Sequence, residues 1–229
     1  AKAETATILW GMGVCQFRQG VETVRALASL AMLTGNLGKP NVGVNPVRGQ
    51  NNVQGACDMG ALFNTLPGYQ SFADPEINAK FAKAWGVPSI PTKPGVPLSE
   101  VPHAVAEGKL KAFYIMGEDT LQTEPDLNAM KQTFKDLEFI IVQDIFMTQT
   151  AAEADVILPA TSCAEHEGVY SAADRGFQRF YKAVEPTGDV KDDWEIISLM
   201  AQALGYPMHY NNTKEIWDEL RELCPIYKG

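Results

Sequence analysis

The sequence predicts an α/β protein: a mostly parallel sheet with helices on both faces, Rossmann-like and three-layered (αβα), plus an irregular arm. Short apolar runs alternate along the chain with stretches in which apolar side chains recur at helical spacing. Each apolar run is continuous rather than alternating in polarity, which is typical of strands covered on both sides. The composition, 45% hydrophobic and 21% charged over 229 residues, is that of an ordinary globular protein of one large or two small domains.

The chain begins with a predicted strand, a glycine turn and a helix. Residues 7–10 (TILW) form an apolar run that stops at Gly11, Met12 and Gly13. Residues 21–32 then place valine, leucine and alanine on one helical face, and glycines at positions 35 and 38 end the helix. This is half of a βαβ unit, which is common in α/β proteins and by itself indicates little about a ligand.

Residues 41–60 (NVGVNPVRGQNNVQGACDMG) show neither helical nor strand periodicity and contain a single arginine, Arg48. A long loop inside a compact protein tends to be functional or disordered, and this run lacks the charge that keeps a disordered segment solvated. Its glycines permit close approach of the backbone to a ligand, and its side-chain amides both donate and accept. We therefore predict a binding loop around Arg48.

The middle of the chain returns to a strand and helix alternation after a proline-rich stretch. Residues 67–102 are expected to form an irregular surface excursion with one short helix at 77–85. Strands are predicted at 112–116, 139–142 and 156–158. A helix precedes the second of them, with Thr123 as its predicted N-cap and Pro125 in its first turn.

Beyond Thr161 the alternation stops. Residues 163–191 are polar, aromatic and rich in turn formers, so we predict an extended arm rather than a sheet element. Two helices follow, one from Asp192 onward and one from Thr213 onward, where 212-NTKE-215 resembles a capping box. His166 in the arm, between two glutamates, is either a proton carrier or part of a solvated turn. The abrupt start and end of the chain suggest a piece of a longer polypeptide.

Polar residues follow three predicted strands at the point where each strand ends. They are Gly11-Met12-Gly13, Gly117-Glu118-Asp119 and Gln143-Asp144. Ligands of parallel sheets bind outside the carboxyl ends of the strands, where an acidic side chain can accept from a ribose hydroxyl or from guanine. The two aspartates together favour a nucleotide-like ligand, although each alone is equally consistent with a cap or a turn.

Charge and cysteine usage exclude several classes of protein. A formal net charge of -9 opposes a broad nucleic-acid-binding role, which depends on clustered lysine and arginine. The four cysteines are scattered singly, without the spacing of a metal site, so we expect free thiols in a reducing compartment. GxGxxG, the P-loop and GxSxG are absent from the sequence. No apolar run approaches the ~20 residues of a membrane span, and no signal peptide is evident.

Four stretches of the sequence together closely resemble the catalytic subunit of formate dehydrogenases, in the molybdopterin oxidoreductase family. The first runs from residue 10 to residue 60 (WGMGVCQFRQG to NNVQGACDMG). The others are 116-MGEDTLQTEPD-126, 143-QDIFMTQTAAEADVILPATS-162 and 167-EGVYSAADRGFQ-178. The resemblance extends over nearly the whole chain.

The resemblance implies a cofactor, a substrate and partners. Subunits of this family hold molybdenum or tungsten between two molybdopterin guanine dinucleotides (bis-MGD), with a selenocysteine or cysteine ligand and a nearby histidine. They usually carry a 4Fe-4S cluster and pass electrons to iron–sulfur subunits. The implied activity is oxidation of formate to carbon dioxide, or the reverse, with two electrons transferred. We expect a cytoplasmic location, with the periplasm as the alternative.

The resemblance also implies roles for individual residues. Arg48, Gly49 and Gln50 match the loop beside the metal, where the arginine orients the formate carboxylate; a planar guanidinium suits that group. Asp193 matches a position that faces a guanine. The remaining implied cofactor contacts are Gly11, Met12, Gly13 and Gln16 on one lobe, and Gly117, Glu118, Asp119, Gln143 and Asp144 on the other.

The implied domain boundaries divide the chain after residue 50. Residues 1–50 match the end of one α/β lobe running into the active-site loop, and residues 51–229 match a second cofactor-binding lobe. The arm at 163–191 is directed in the family toward the iron–sulfur domain. The sequence departs from the family in lacking a CxxCxxxC cluster motif and a cysteine at the metal-ligand position, since Cys57 matches a non-ligand position. Part of the cofactor site is thus expected here, without turnover by this chain alone.

Two other interpretations stay open from the sequence. Another molybdopterin oxidoreductase, such as a nitrate reductase, would share the α/β lobes without needing an arginine in this loop. A non-catalytic nucleotide-binding module would use the strand ends alone.

Overall fold

A computed structural model describes residues 3–172 and 176–228, which form two compact units. The first unit comprises residues 3–56 with 170–172 and 176–178, and the second comprises residues 57–169 with 179–228. Parallel strands alternate with helices, so the predicted α/β class is confirmed. The two lobes assigned from the sequence, with their boundary after residue 50, stay a prediction.

The first unit contains a two-stranded parallel sheet and its connecting helices. Strand β1 (Thr7–Trp10) and helix α2 (Gly20–Leu33) are present as the sequence predicts. The predicted glycine turn between them contains a short helix, α1 (Met12–Cys15), that was not predicted. Strand β2 (Gly43–Pro46) pairs with β1 in parallel, and α3 (Val53–Asp58) follows. The absence of regular structure predicted for residues 41–60 is therefore wrong, since only 47–52 separate β2 from α3.

The second unit is built around a three-stranded parallel sheet. Helices α4 (Pro75–Ala84) and α5 (Val101–Ala106) precede strand β3 (Ala112–Met116). Short α6 (Thr120–Thr123) and longer α7 (Leu127–Asp136) lead to β4 (Phe139–Asp144), and α8 (Gln149–Ala152) leads to β5 (Val156–Pro159). The strand order is β3-β4-β5, with Met116 level with Gln143 and Asp144 level with Pro159. All three predicted strands are confirmed.

One face of this sheet packs against α6, α7 and α8. The buried apolar cluster on that face joins Ile115, Ile140 and Val142 of the strands to helix side chains such as Met130 and Phe134. On the opposite face Tyr114, Met116 and Phe139 are 36%, 49% and 41% exposed, whereas Gln143 is fully buried. Helical cover over the described residues is therefore dense on one face and partial on the other.

A second core lies between α4 and the C-terminal helix α10. Strand β6 (Gly168–Ser171) pairs with β7 (Phe177–Phe180), and helices α9 (Asp193–Ala203) and α10 (Thr213–Leu223) follow. Phe81 of α4 packs with Leu220 and Cys224, all three at most 4% exposed. The expectation that residues 67–102 form only a surface excursion is therefore wrong, because this stretch supplies half of a core.

The arm predicted at 163–191 contains the β6–β7 strand pair, which the sequence analysis did not predict. Residues 173–175 within the arm lie outside the described residues. The direction of the arm toward an iron–sulfur domain stays a prediction.

Helix caps agree with the sequence in part. Asn212 accepts from the Glu215 N–H at 3.2 Å at the start of α10, as the capping-box pattern predicts, although the Glu215 carboxylate accepts from Asn211. Thr123 is wrong as a cap: it ends α6, and Asp126 caps α7 by accepting from the Ala129 N–H at 3.0 Å.

A cap on α4 provides a test of the second core. The Asp74 carboxylate accepts from the N–H groups of Glu76 and Ile77 at 2.9 and 3.3 Å, and Pro75 occupies the first helical position. Asp74→Ala is expected to lower the free energy of unfolding by about 1 kcal/mol, measured by urea denaturation. The matched control is Asp74→Ser, which retains a capping oxygen and should lose much less. Equal losses in the two variants would show that the cap does not stabilise α4.

No helix within residues 3–172 and 176–228 is long and apolar enough to cross a membrane.

Candidate functional site

In the first unit, two loops leave the same edge of the β1–β2 sheet. Trp10 is level with Pro46, and the Val47 N–H donates to the Trp10 carbonyl oxygen at 2.7 Å. The residues that follow each strand therefore start side by side. A Cβ on Gly49 would lie 3.6 Å from the Met12 methyl carbon, so the two loops meet at this point.

The loop after β1 is a single helical turn that doubles back tightly. Gly11 precedes α1, and Gln16 ends it by donating its N–H to the Met12 carbonyl oxygen at 2.8 Å. A Cβ on Gly20 would lie 2.0 Å from the Cys15 carbonyl oxygen, so only glycine fits there. At Gly11 and Gly13 a Cβ would meet no atom of the described residues within 4 Å. The predicted residues thus share one open turn at the end of a strand.

Arg48 lies in the short loop between β2 and α3. Its Nη1 donates to the Val53 carbonyl oxygen at 3.4 Å, which ties the side chain to the first residue of α3. Asn52, with a φ of 60°, accepts from the Ser171 N–H at 3.0 Å and holds the far end of the loop. The Gln50 carbonyl oxygen accepts from the Val53 N–H at 3.5 Å. The structure thus brings Gly49 next to Met12, while Arg48 and Gln50 on either side of it bond to Val53 at the start of α3.

In the second unit, the ends of β3 and β4 lie beside each other. Gly117 adopts a φ of 63°, which favours glycine, and its N–H donates to the Gln143 carbonyl oxygen at 2.9 Å. Glu118 is exposed and accepts a hydrogen bond from the Thr123 hydroxyl. The predicted residues on these two strands therefore come together at one edge of the sheet.

Asp119 joins the β3 loop to α8. Its Oδ1 accepts from both the N–H and the hydroxyl of Thr150, at 3.0 and 2.7 Å. The Thr150 hydroxyl in turn accepts from the Leu121 N–H at 2.9 Å, and Thr150 is fully buried. Thr150 was not predicted from the sequence, because one threonine in the mixed stretch MTQTAAE gives no signal of its own. One oxygen of Asp119 is therefore engaged in stabilising this edge.

Asp144 begins an exposed apolar loop. Its Oδ1 accepts from the Phe146 N–H at 2.9 Å, forming a turn directly after β4. Ile145, Phe146 and Met147 are 48%, 73% and 71% exposed. The sequence signals this exposed loop, because apolar residues continue past Asp144, where the strand ends.

Gln143 connects the sheet to α9. Its side chain is fully buried, and its amide accepts from the Tyr114 hydroxyl and donates to the Asp193 carboxylate. The structure thus places the predicted residues Gln143 and Asp193 in direct contact. Tyr114 was missed, because it lies inside the apolar run AFYIM.

A cleft of about 330 Å³ lies beside the start of α9. Its wall includes Thr161, whose hydroxyl donates to Asp192 at 2.9 Å and lies 3.2 Å from Nδ1 of His166. The His166 ring contacts the Phe180 ring edge-on at 5.5 Å. Since the Thr161 proton is directed to Asp192, His166 Nδ1 must be the donor to Thr161. His166 is therefore half-buried and oriented by its partners rather than part of a freely solvated turn.

The described residues contain no group of three or more histidine, cysteine, aspartate or glutamate side chains arranged to hold a metal ion. Cys15 and Cys163 are exposed thiols, and Cys57 and Cys224 are buried thiols.

Comparison with known proteins gives consistent results along the chain. The sequence profile described as "Molybdopterin oxidoreductase" matches residues 1–203. Formate dehydrogenase H of Escherichia coli (strain K12) is 69% identical over 229 residues, which is 100% of this chain and 32% of that protein. The F420-dependent formate dehydrogenase subunit alpha of Methanocaldococcus jannaschii is 45% identical, over 99% of this chain and 33% of its own. The subunit alpha of F420-dependent formate dehydrogenase 1 of Methanococcus maripaludis is 44% identical, over 99% of this chain and 33% of that protein. The chain thus spans about a third of the length of these curated relatives.

Proposed function

The chain belongs to the molybdopterin oxidoreductase family, and on that premise we propose that it forms the dinucleotide-binding portion of a formate dehydrogenase catalytic subunit. The observation that carries the proposal is 69% identity over all 229 residues to a formate dehydrogenase. The proposed reaction is oxidation of formate to carbon dioxide, with two electrons passed to a molybdenum or tungsten centre. A nitrate reductase and a non-catalytic module are not favoured, because the relatives compared above are all named formate dehydrogenases.

The residues at the strand ends fit a molybdopterin cofactor. Gly11 and Gly13 leave open space at one sheet edge, and Gly117 does so at the other, so a large ligand can approach the backbone closely. Asp144 and Asp193 provide carboxylates where a nucleotide needs acceptors for its hydroxyl and amino groups. Neither edge depends on net positive charge, in agreement with the formal charge of -9.

We propose that these residues hold the bis-MGD form. Gly11, Met12, Gly13 and Gln16 would contact one dinucleotide, and Gly117, Glu118, Asp119, Gln143, Asp144 and Asp193 the other. The cofactor with its metal would supply the two-electron redox chemistry. A 4Fe-4S cluster outside this chain and iron–sulfur partner subunits would carry the electrons away, and the cytoplasm is the proposed location.

Arg48 is proposed to bind and orient formate. A guanidinium presents two parallel N–H groups that match a planar carboxylate, and it remains charged at every working pH. Its loop is anchored at one end by the Val47–Trp10 hydrogen bond and at the other by Asn52. Anchoring at both ends suits a residue that has to fix the direction of a small substrate.

A calorimetric titration of the chain with GDP, with ADP as the control nucleotide, tests the cofactor assignment. We expect tighter binding of GDP, because a carboxylate such as that of Asp193 pairs with the adjacent N–H donors of guanine but not with adenine. Asp193→Asn is expected to remove most of the preference, while Asp136→Asn, a variant of an exposed aspartate on α7, should retain it. Binding of neither nucleotide, or equal binding of both, would contradict the proposal.

A further inference from the structure

We propose that Tyr114 is a positioning residue that acts through Gln143 to orient the Asp193 carboxylate toward a guanine base. The inference rests on the proposed function, because it concerns how the proposed nucleotide edge of the second unit distinguishes bases. Tyr114 does not itself need to touch the ligand. Its role would be to hold the Gln143 amide in place within a hydrogen-bond chain that ends at Asp193.

The three residues form one continuous chain of hydrogen bonds across the less covered face of the sheet. Tyr114 lies on β3 and Gln143 on β4, and the Tyr114 hydroxyl donates to Oε1 of Gln143. Nε2 of Gln143 then donates to Oδ1 of Asp193, the first residue of α9. The bond from Gln143 to Asp193 joins residues that are 50 positions apart in sequence.

The Gln143 amide needs a partner at each of its two ends, and Tyr114 supplies the donor at one of them. An amide has a donating end and an accepting end, and a rotation by 180° exchanges them. The Asp193 carboxylate only accepts, so it takes the NH₂ group of Gln143, and the carbonyl oxygen at the other end of the amide accepts from the Tyr114 hydroxyl. With the amide reversed, its oxygen would face a carboxylate oxygen, which is repulsive. Gln143 has no exposed surface, so bulk water is not available to correct the pairing.

Tyr114 stays a donor at neutral pH. Burial, and then the negative charge of Asp193, raise the pKa of its hydroxyl above the ordinary value. The proton that the Gln143 carbonyl oxygen accepts is therefore retained at neutral pH.

The backbone of Asp193 is also fixed. The Glu195 carboxylate accepts from the Asp192 N–H at 3.2 Å, and Asp192 accepts from Thr161 at 2.9 Å, so the start of α9 is held from both sides. A carboxylate has two oxygens and about four acceptor positions, so the bond from Gln143 leaves capacity for a ligand. An oriented carboxylate can pair with the N1–H and the 2-amino group of guanine at once.

The other two aspartates at this edge are held differently. Oδ1 of Asp119 accepts from Thr150, and Oδ1 of Asp144 accepts from a backbone N–H of its own turn. Of these three aspartates, only Asp193 accepts from a side-chain amide, that of Gln143, which itself accepts from the Tyr114 hydroxyl. This difference singles out Asp193 as the base-reading group and Tyr114 as the residue that holds the amide partner of Asp193 in place.

The test compares GDP with inosine diphosphate (IDP), which lacks only the 2-amino group. We expect the wild-type chain to bind GDP more tightly than IDP. Tyr114→Phe removes one hydroxyl and should lower GDP affinity about tenfold, with a much smaller effect on IDP. A merely structural role would weaken the binding of both nucleotides equally. The matched control is Tyr210→Phe, which removes the hydroxyl that donates to Glu219 at 2.7 Å in the same unit; it should leave the GDP-to-IDP ratio unchanged.

A double variant completes the experiment. In the Asp193→Asn background Tyr114→Phe should have no further effect on the ratio, because the two residues act in one chain. An unchanged GDP-to-IDP affinity ratio in the single Tyr114→Phe variant would overturn the inference about Tyr114. In that case a preference of the wild type for GDP over ADP would still support the proposed function. Absence of GDP binding by the wild type would overturn both. A Tyr114→Phe variant whose circular-dichroism melting curve matches the wild type, with the ratio lost, supports the proposal.

Discussion

Replacement of Arg48 by lysine in the full-length subunit is expected to lower kcat/KM for formate by about 100-fold. Lysine preserves the positive charge but replaces a planar, two-pronged donor with a single ammonium group, so formate would be held without a fixed direction. The Nη1 bond to the Val53 carbonyl oxygen, which places the side chain at the start of α3, would also change. Because orientation is affected more than charge, we expect the loss mainly in kcat.

The measurement is steady-state formate oxidation with an artificial electron acceptor, together with the metal content of each preparation. Arg25→Lys is the matched control, because Arg25 is an exposed residue of α2 in the same unit, paired with Glu22 at 3.2 Å. It should retain full turnover. If Arg48→Lys at equal metal content turned over formate as fast as the wild type, Arg48 would not be the residue that orients formate. That result would favour another reaction of the family.

Thr150→Val is expected to lower the free energy of unfolding by about 2 to 3 kcal/mol. The substitution preserves shape in a site with no solvent exposure, but it leaves the Leu121 N–H without its acceptor and Asp119 without its hydroxyl donor. Leu121 belongs to the main core of the second unit, so the orphaned donor stays buried. GDP affinity should fall together with stability, because Asp119 loses the hydrogen bond from the Thr150 hydroxyl and keeps only the bond from the Thr150 N–H.

Thr133→Val serves as the control for that change. Thr133 is also buried, at 3% exposure, but its hydroxyl donates only along its own helix, to the Ala129 carbonyl oxygen at 2.9 Å. That oxygen also lies in the helical hydrogen-bond ladder, so the loss should stay below about 1 kcal/mol. Urea denaturation of the two variants in parallel gives the comparison. Similar losses at both positions would mean that the Asp119–Thr150–Leu121 cluster contributes nothing beyond an ordinary buried threonine.

The strands of the second unit were predictable because each is a continuous apolar run ended by glycine or a polar residue. Strand β2 was not, since its sequence GVNP contains one large apolar residue and is specified by parallel pairing with β1. The core between α4 and α10 was missed for a related reason. Phe81 and Leu220 are far apart in sequence, and periodicity within each helix does not show which helices pack together.

The candidate site was predictable as a set of strand-end residues and less so as a set of contacts. Gln143 and Asp193 were named separately, and the structure joins them through a direct hydrogen bond. The residues that orient them, Tyr114 and Thr150, carry no motif, because their importance comes from a partner on another strand or helix. The ligand roles of all these residues stay predictions.

Three glycines near the N-terminus differ in mutational tolerance. Gly20 is closed to every other residue, since a side chain would overlap the Cys15 carbonyl oxygen at 2.0 Å. Gly11 and Gly13 border open space in the part of the chain that the structure describes, and neither has a positive φ, so the fold itself admits alanine at both positions. In a saturation library, variants at position 20 are therefore expected not to fold. Variants at positions 11 and 13 are expected to fold and to lose only the binding of a ligand at this turn.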